Sequence, residues 1–94
     1  MSHAILKLVK YRFTKHANEK FHILASLGWN ITASKIKKTV RDPKWKGVSK
    51  HGDETAMSLV DSKHILRVVY NIESGKIIII TFHIARKGKY ESTL

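Results

Sequence analysis

HILRVVYNIESGKIIIITFHIARKGKY, residues 64–90, contains two β-rich runs joined by a turn and closes on a cluster of cationic and aromatic side chains. From Ile65 to Ile72 the run is rich in β-branched residues, and Glu73-Ser74-Gly75-Lys76 supplies turn chemistry. Ile77 to Ile84 is almost unbrokenly apolar, which predicts a hairpin whose second strand is central and covered on both faces. Arg67 falls inside the first strand. His83, Arg86, Lys87, Lys89 and Tyr90 fall at or beyond the end of the second, so one strand terminus carries an unusual load of titratable and phosphate-seeking groups.

Working upstream, Thr55 to Val60 and Lys44 to Ser49 read as two further strands separated by a His51-Gly52-Asp53 turn. Two helices precede them. Thr32 is placed to cap a helix over Ala33 to Arg41 with Ala33, Ile36 and Val40 inward, and Asp42-Pro43 stops it. Thr14 is placed to cap Lys15 to Leu27, where Ala17, Phe21, Leu24 and Leu27 recur at helical spacing and Gly28 follows as the terminating residue. In Leu8 to Phe13, Leu8, Lys10 and Arg12 alternate with Val9, Tyr11 and Phe13 as in a strand. The resulting β-α-α-β-β-β-β order predicts an α+β fold, an antiparallel sheet with two helices packed on one face. No linker, low-complexity segment or internal repeat divides residues 1–94, so one domain is expected, with Glu91 to Leu94 frayed.

Composition narrows the partner. Eighteen Lys and Arg oppose seven Asp and Glu, a formal charge of +11, which points to a polyanion and to nucleic acid first. Cysteine is absent, which rules out disulfides and thiolate metal sites. Lys7, Lys10 and Arg12 interrupt the first apolar residues too early for a signal sequence or a spanning helix, so a soluble cytoplasmic protein is expected. Glycine-rich phosphate loops, GxSxG elbows and HExxH helices are all missing, which removes the ATPase, serine-hydrolase and zincin readings. His16 and Glu19 have a metal-compatible i,i+3 spacing, but with no second pair a cap or surface hydrogen bond is the simpler reading, and neither a metal nor another cofactor is expected.

The basic residues are unevenly spread. Lys35, Lys37, Lys38, Arg41, Lys44, Lys46 and Lys50 fall within sixteen positions that hold only Asp42 in opposition. Lys35 and Lys38 are helical neighbours, as are Lys37 and Arg41, while Lys44, Lys46 and Lys50 would share one face of a regular strand with Trp45 on the other. They are either solvated surface or a nucleic-acid-binding face, joined in the second case by Lys87 and Lys89. Arg67, flanked by Leu66 and Val68, is either paired to Asp61 or Glu73 or reaches a ligand anion, for which its planar, permanently charged fork is suited. His83 is either a satisfied edge residue or an acid or base. Tyr90 is either a lid on the core or a group that stacks a nucleobase or moves a proton.

Leu66-Arg67-Val68-Val69-Tyr70, a turn, an Ile-rich strand and His83-x-x-Arg86-x-x-x-Tyr90 together resemble the C-terminal half of the RelE/ParE toxin superfamily. Thr14-Lys15-His16-Ala17, the helix pair and Asp42-Pro43 resemble a branch of it related to BrnT-type toxins. The resemblance implies a RelE-like domain whose enzymatic members are metal-independent ribonucleases that cut messenger RNA through a 2′,3′-cyclic phosphate; whether that RNA is free or ribosome-bound stays open. It also implies an acidic antitoxin as partner. Carried over, Arg67 matches the arginine of the penultimate strand, Arg86 the basic residue after the last strand and Tyr90 the terminal tyrosine, with Lys44, Lys46 and Lys50 near the basic residues of the strand after the helices. The chain departs from the family in the wide spacing of His83, Arg86 and Tyr90, and ParE-like relatives act on gyrase instead. The expectation is a toxin-type endoribonuclease using Arg67, His83, Arg86 and Tyr90, with a non-catalytic nucleic-acid-binding module or a degenerate toxin as the alternative. An exposed sheet edge would also permit a homodimer.

Overall fold

A computed structural model of the chain describes residues 9–91. The expected strand start at Leu8 and the tail beyond Glu91 lie outside the described residues. Within them the order is β1 (Lys10–Phe13), α1 (Lys15–Ser26), α2 (Ala33–Arg41), β2 (Trp45–Val48), β3 (Glu54–Leu59), β4 (His64–Glu73) and β5 (Lys76–Arg86).

Both helix starts follow from their caps. Thr14 Oγ1 accepts from Ala17 N at 3.1 Å and Thr32 Oγ1 from Lys35 N at 3.1 Å, each filling one of the donors that a first turn leaves open. Thr14 also donates to the Ile80 carbonyl at 2.9 Å, which ties the head of α1 to β5. α1 stops at Gly28, whose φ of 91° is cheap only for glycine. Gly28 N donates to Ala25 O and Trp29 N to Leu24 O, the paired bonds of a Schellman ending. The expected apolar stripe is shorter than the spacing suggested. Ala17 and Leu24 are buried, but Leu27 has moved into the cap and is 68 % exposed. On α2 the buried positions are Ile36, Thr39 and Val40, while Ala33 faces solvent. Thr39 is tolerated inside because its hydroxyl donates to Lys35 O and meets Ser58 Oγ, both at 2.8 Å.

The sheet is mixed, in the order β1-β5-β4-β3-β2. β2 to β5 form the expected antiparallel meander, but β1 pairs with β5 in parallel, Lys10 opposite Lys76 through Phe13 opposite Ile79. The expected wholly antiparallel sheet is therefore corrected. Parallel neighbours require a long crossover, and the chain between Phe13 and Lys76 supplies one. The Ile-rich strand is central only where β1 covers it; from Ile80 onward it lies beyond the β1 register. Glu73 and Lys76 close the hairpin around Ser74 and Gly75, both at positive φ as a tight two-residue turn requires.

Both helices pack on one sheet face. Ala17, Leu24, Ile36 and Val40 meet Ala56, Leu66, Val68, Tyr70, Ile77, Ile79 and Phe82 there, and Phe82 lies 4.8 Å from the Phe21 ring. On the opposite face a smaller cluster of Met57, Ile65 and Ala85 is flanked by Trp45, Leu59 and Tyr90. β5 serves the helix side with odd positions first and even positions later. A bulge makes the change: Val69 opposes Thr81 while Tyr70 opposes Ile79, which leaves Ile80 as the inserted residue. That shift turns Phe82 inward and aims His83 and Ala85 at the open face.

Candidate functional site

On the open face a cleft of about 510 Å³ is lined by Arg67 and Val69 of β4, Ile80 and Thr81 at the bulge, Tyr90, and Ser49, Lys50, His51 and Asp53 of the β2–β3 turn. Its volume is within the range of small-ligand sites. The β-alternation that buries Leu66 and Val68 against the helices necessarily points Arg67 the other way, onto the cleft floor.

Arg67 is half-buried, and the carboxylate partners expected as its structural explanation are elsewhere. Asp61 pairs with His64 Nδ1 at 3.0 Å, the one ion pair among the described residues. The Lys63 backbone N–H, followed by that contact, holds the Asp61 carboxyl below its ordinary range. Arg67 instead lies over the Tyr90 ring, with Cζ 4.4 Å from the centroid, and Lys89 Nζ is 5.5 Å from the same ring. A guanidinium withdrawn partly from water with no carboxylate in salt-bridge contact, Asp53 standing elsewhere on the cleft wall, is a natural seat for an external anion.

His83 is the cross-strand partner of Arg67 and meets the Tyr90 ring edge-on at 5.5 Å. Burial, followed by the nearby positive charges of Arg67, Lys20 and Lys89, pushes its pKa down to about 4. The imidazole is therefore uncharged at neutral pH, and its buried Nε2 has no hydrogen-bond partner among the described residues. Of its two expected roles, base or acid, an uncharged ring behind Tyr90 fits the base, since at pH 7 it starts without the imidazolium proton that an acid gives a leaving oxygen.

The remaining expected residues divide between the faces. Arg86 does not converge with Arg67, His83 and Tyr90. It follows open-face Ala85, so alternation turns it to the helix side, where it lines a separate shallow pocket with Lys63 and Lys87. Lys35 donates its ammonium to the Leu59 carbonyl at 3.2 Å, a tertiary contact that ties α2 to β3. Lys38 and Arg41 occupy the last turn of α2, where they favour the helix terminus. Lys46 pairs in register with helix-side Ala56, and Lys44 sits 5.3 Å from the Trp45 ring centroid. The expected shared face for Lys44, Lys46 and Lys50 fails because β2 ends at Val48. The following turn carries Lys50 to the cleft. The cations gathered at the cleft are thus Lys50, Arg67 and Lys89, and the long basic run lies mostly on the helix side.

His51 and Asp53 entered the sequence reading only as turn residues. Their place follows from register: Thr55 pairs with Val69, which pairs with Thr81, so the turn ahead of β3 must overhang that part of the sheet. The alternation of β3 and β4 carries this signal once the strand pairing is known. Among the described residues no three His, Asp or Glu side chains gather as metal ligands, and His16 and Glu19 lie exposed on α1. No helix among them is long and apolar enough to cross a membrane. Compared with known proteins, the chain matches no protein-family model, no curated protein and no solved structure.

Proposed function

We propose that the protein is a RelE-like, toxin-type endoribonuclease that cuts messenger RNA through a 2′,3′-cyclic phosphate without a metal ion. The observation that carries this reading is Arg67: half-buried on the floor of a cleft, with no carboxylate in salt-bridge contact, and with its Cζ 4.4 Å from the Tyr90 ring centroid. In this arrangement Arg67 binds the non-bridging oxygens and offsets the charge that accumulates at phosphorus as the 2′-oxygen attacks. Tyr90 lies against the guanidinium and offers an aromatic surface at the place where a nucleobase enters. Lys50 on the cleft wall and Lys89 beside the Tyr90 ring add positive charge for the RNA strand. The resemblance of residues 66–90 to the RelE/ParE superfamily and the matching element order support the same reading, and with it an acidic antitoxin as partner and the cytoplasm as site of action.

The test is to incubate the purified protein, in chelator, with labelled structured RNA and separately with translating ribosomes, beside an Arg67→Ala, Tyr90→Phe double variant. Cleavage that leaves cyclic-phosphate ends and disappears in the double variant is the expected result; equal cleavage by the variant sinks the reading. A second reading, a non-catalytic RNA-binding module, is favoured by the place of His83 behind Tyr90 and by the displacement of Arg86. Salt-dependent binding with a log–log slope of about −2, as three cations on a single strand give, and no cleavage in either setting would support it.

A further inference from the structure

The β2–β3 turn is tied down more firmly than a solvated connection requires. Ser49 N donates to Asp53 O at 2.8 Å, and Gly52 N, at a φ of 88°, donates to Ser49 O at 2.9 Å. Ser49 Oγ accepts from His51 N at 3.3 Å and from Asp53 N at 3.1 Å. The turn therefore presents His51 from a fixed backbone to the wall of the cleft whose floor is Arg67.

Internal transfer needs a group that takes the 2′-hydroxyl proton, and the cleft offers few. Arginine and lysine side chains ordinarily stay protonated at neutral pH and cannot take that proton, while a carboxylate such as Asp53 is ionised and can take it but is ordinarily too weak a base to carry it between two oxygens near pH 7. Tyr90 is packed between Arg67 and the His83 ring, and His83 is not among the cleft-lining residues. Imidazole is the side chain whose proton exchanges between pH 5 and 8. His51 is the imidazole that lines the cleft, and it is exposed, so a substrate can reach it.

We infer that His51 is the catalytic acid–base of this site, moving the proton from the 2′-hydroxyl of RNA to the departing 5′-oxygen. The inference rests on the ribonuclease reading above. As the proton passes to the imidazole, the O2′–P bond forms; the P–O5′ bond breaks, and the imidazolium returns the proton to the 5′-oxygen directly or through one water. The result is a 2′,3′-cyclic phosphate on one fragment and a 5′-hydroxyl on the other, an internal transesterification that consumes no co-reactant. Arg67 keeps the phosphoryl oxygens in place throughout.

The experiment measures single-turnover cleavage of a labelled RNA in chelator, free and on ribosomes, for wild type, His51→Gln, His51→Ala and Asp53→Asn, with His16→Gln as control. Affinity is measured separately on the same RNA carrying a 2′-deoxy sugar at the cut site. Expected is a loss of about 10²–10⁴-fold in rate for both His51 variants, the general acid–base range, with affinity for the uncleavable RNA unchanged. Added imidazole should restore part of the His51→Ala rate, and the acidic limb of the pH–rate profile should vanish. Wild-type cleavage that His51→Gln leaves intact overturns the assignment alone, as does a loss confined to Asp53→Asn. An inactive His51→Ala that imidazole does not rescue also overturns it. A wild type that cleaves neither free nor ribosome-bound RNA removes the ribonuclease reading and this inference with it.

Discussion

Arg67→Met should make the protein more stable while abolishing its anion site. Arg67 is half-buried, has no carboxylate in salt-bridge contact, and keeps its Cζ 4.4 Å from the Tyr90 ring centroid. Full burial of an ion costs several kcal/mol, so partial burial without a partner costs about 2 kcal/mol. The ring returns about 1 kcal/mol of that as cation–π attraction. Methionine fills a similar volume, carries no charge and regains about 0.5 kcal/mol from its sulfur against the same ring. The net expectation is a gain of about 1.5 kcal/mol, which for a domain of this size raises Tm by about 6–12 °C. Urea and thermal unfolding of both proteins measure it, repeated with and without uncleavable 2′-deoxy RNA. The ligand should stabilise wild type and not the variant, because only a folded state that binds it is stabilised by mass action. A loss of more than about 1 kcal/mol in Arg67→Met would refute the reasoning, since it would make Arg67 a structural residue whose partner the fold requires.

Other perturbations follow from packing, backbone and charge. Phe82→Ala removes a fully buried ring from between α1 and the sheet and should cost about 3–5 kcal/mol, read as a fall in the urea midpoint. Gly75→Ala forces a side chain onto a φ of 76° in the β4–β5 turn and should cost about 1 kcal/mol, whereas Ser74→Gly should be neutral or better. His83 titrates near 4 when folded and near its ordinary 6.5 when unfolded, so between those values the unfolded chain binds the extra proton. Stability from this group is therefore complete above about pH 6.5 and lost as the pH falls toward 4. Partial solvent access limits the effect to about 1–2 kcal/mol, and His83→Gln should flatten that part of the curve.

Much of the fold was legible because it is local. Thr14, Thr32 and Gly28 mark helix ends through bonds that span three to five residues, and Ser74-Gly75 marks the hairpin by its need for positive φ. Strand positions were readable from β-branched runs to within a residue or two. The site was legible in part. Arg67 stood out as a charge inside an apolar strand, and Tyr90 does join it, but Arg86 and most of the basic run do not, because sequence proximity says nothing about which face a side chain takes. The turn residues His51 and Asp53 carried no signal at all without the β3–β4 register.

The sequence by itself determined the element order, the caps, the hairpin and the strong positive charge, since each depends on near neighbours or on simple counts. Only the tertiary structure decided the parallel pairing of β1 with β5 and the side on which each charge lies. The bulge at Ile80 is the clearest case. One extra residue reverses the alternation of β5, so Ile77, Ile79 and Phe82 all reach the helices while His83 turns toward Arg67. An unbroken apolar run cannot announce such a shift, because every residue in it is equally content to be buried; the choice is made by the register of the neighbouring strand and by the Thr14 hydroxyl that holds the Ile80 carbonyl.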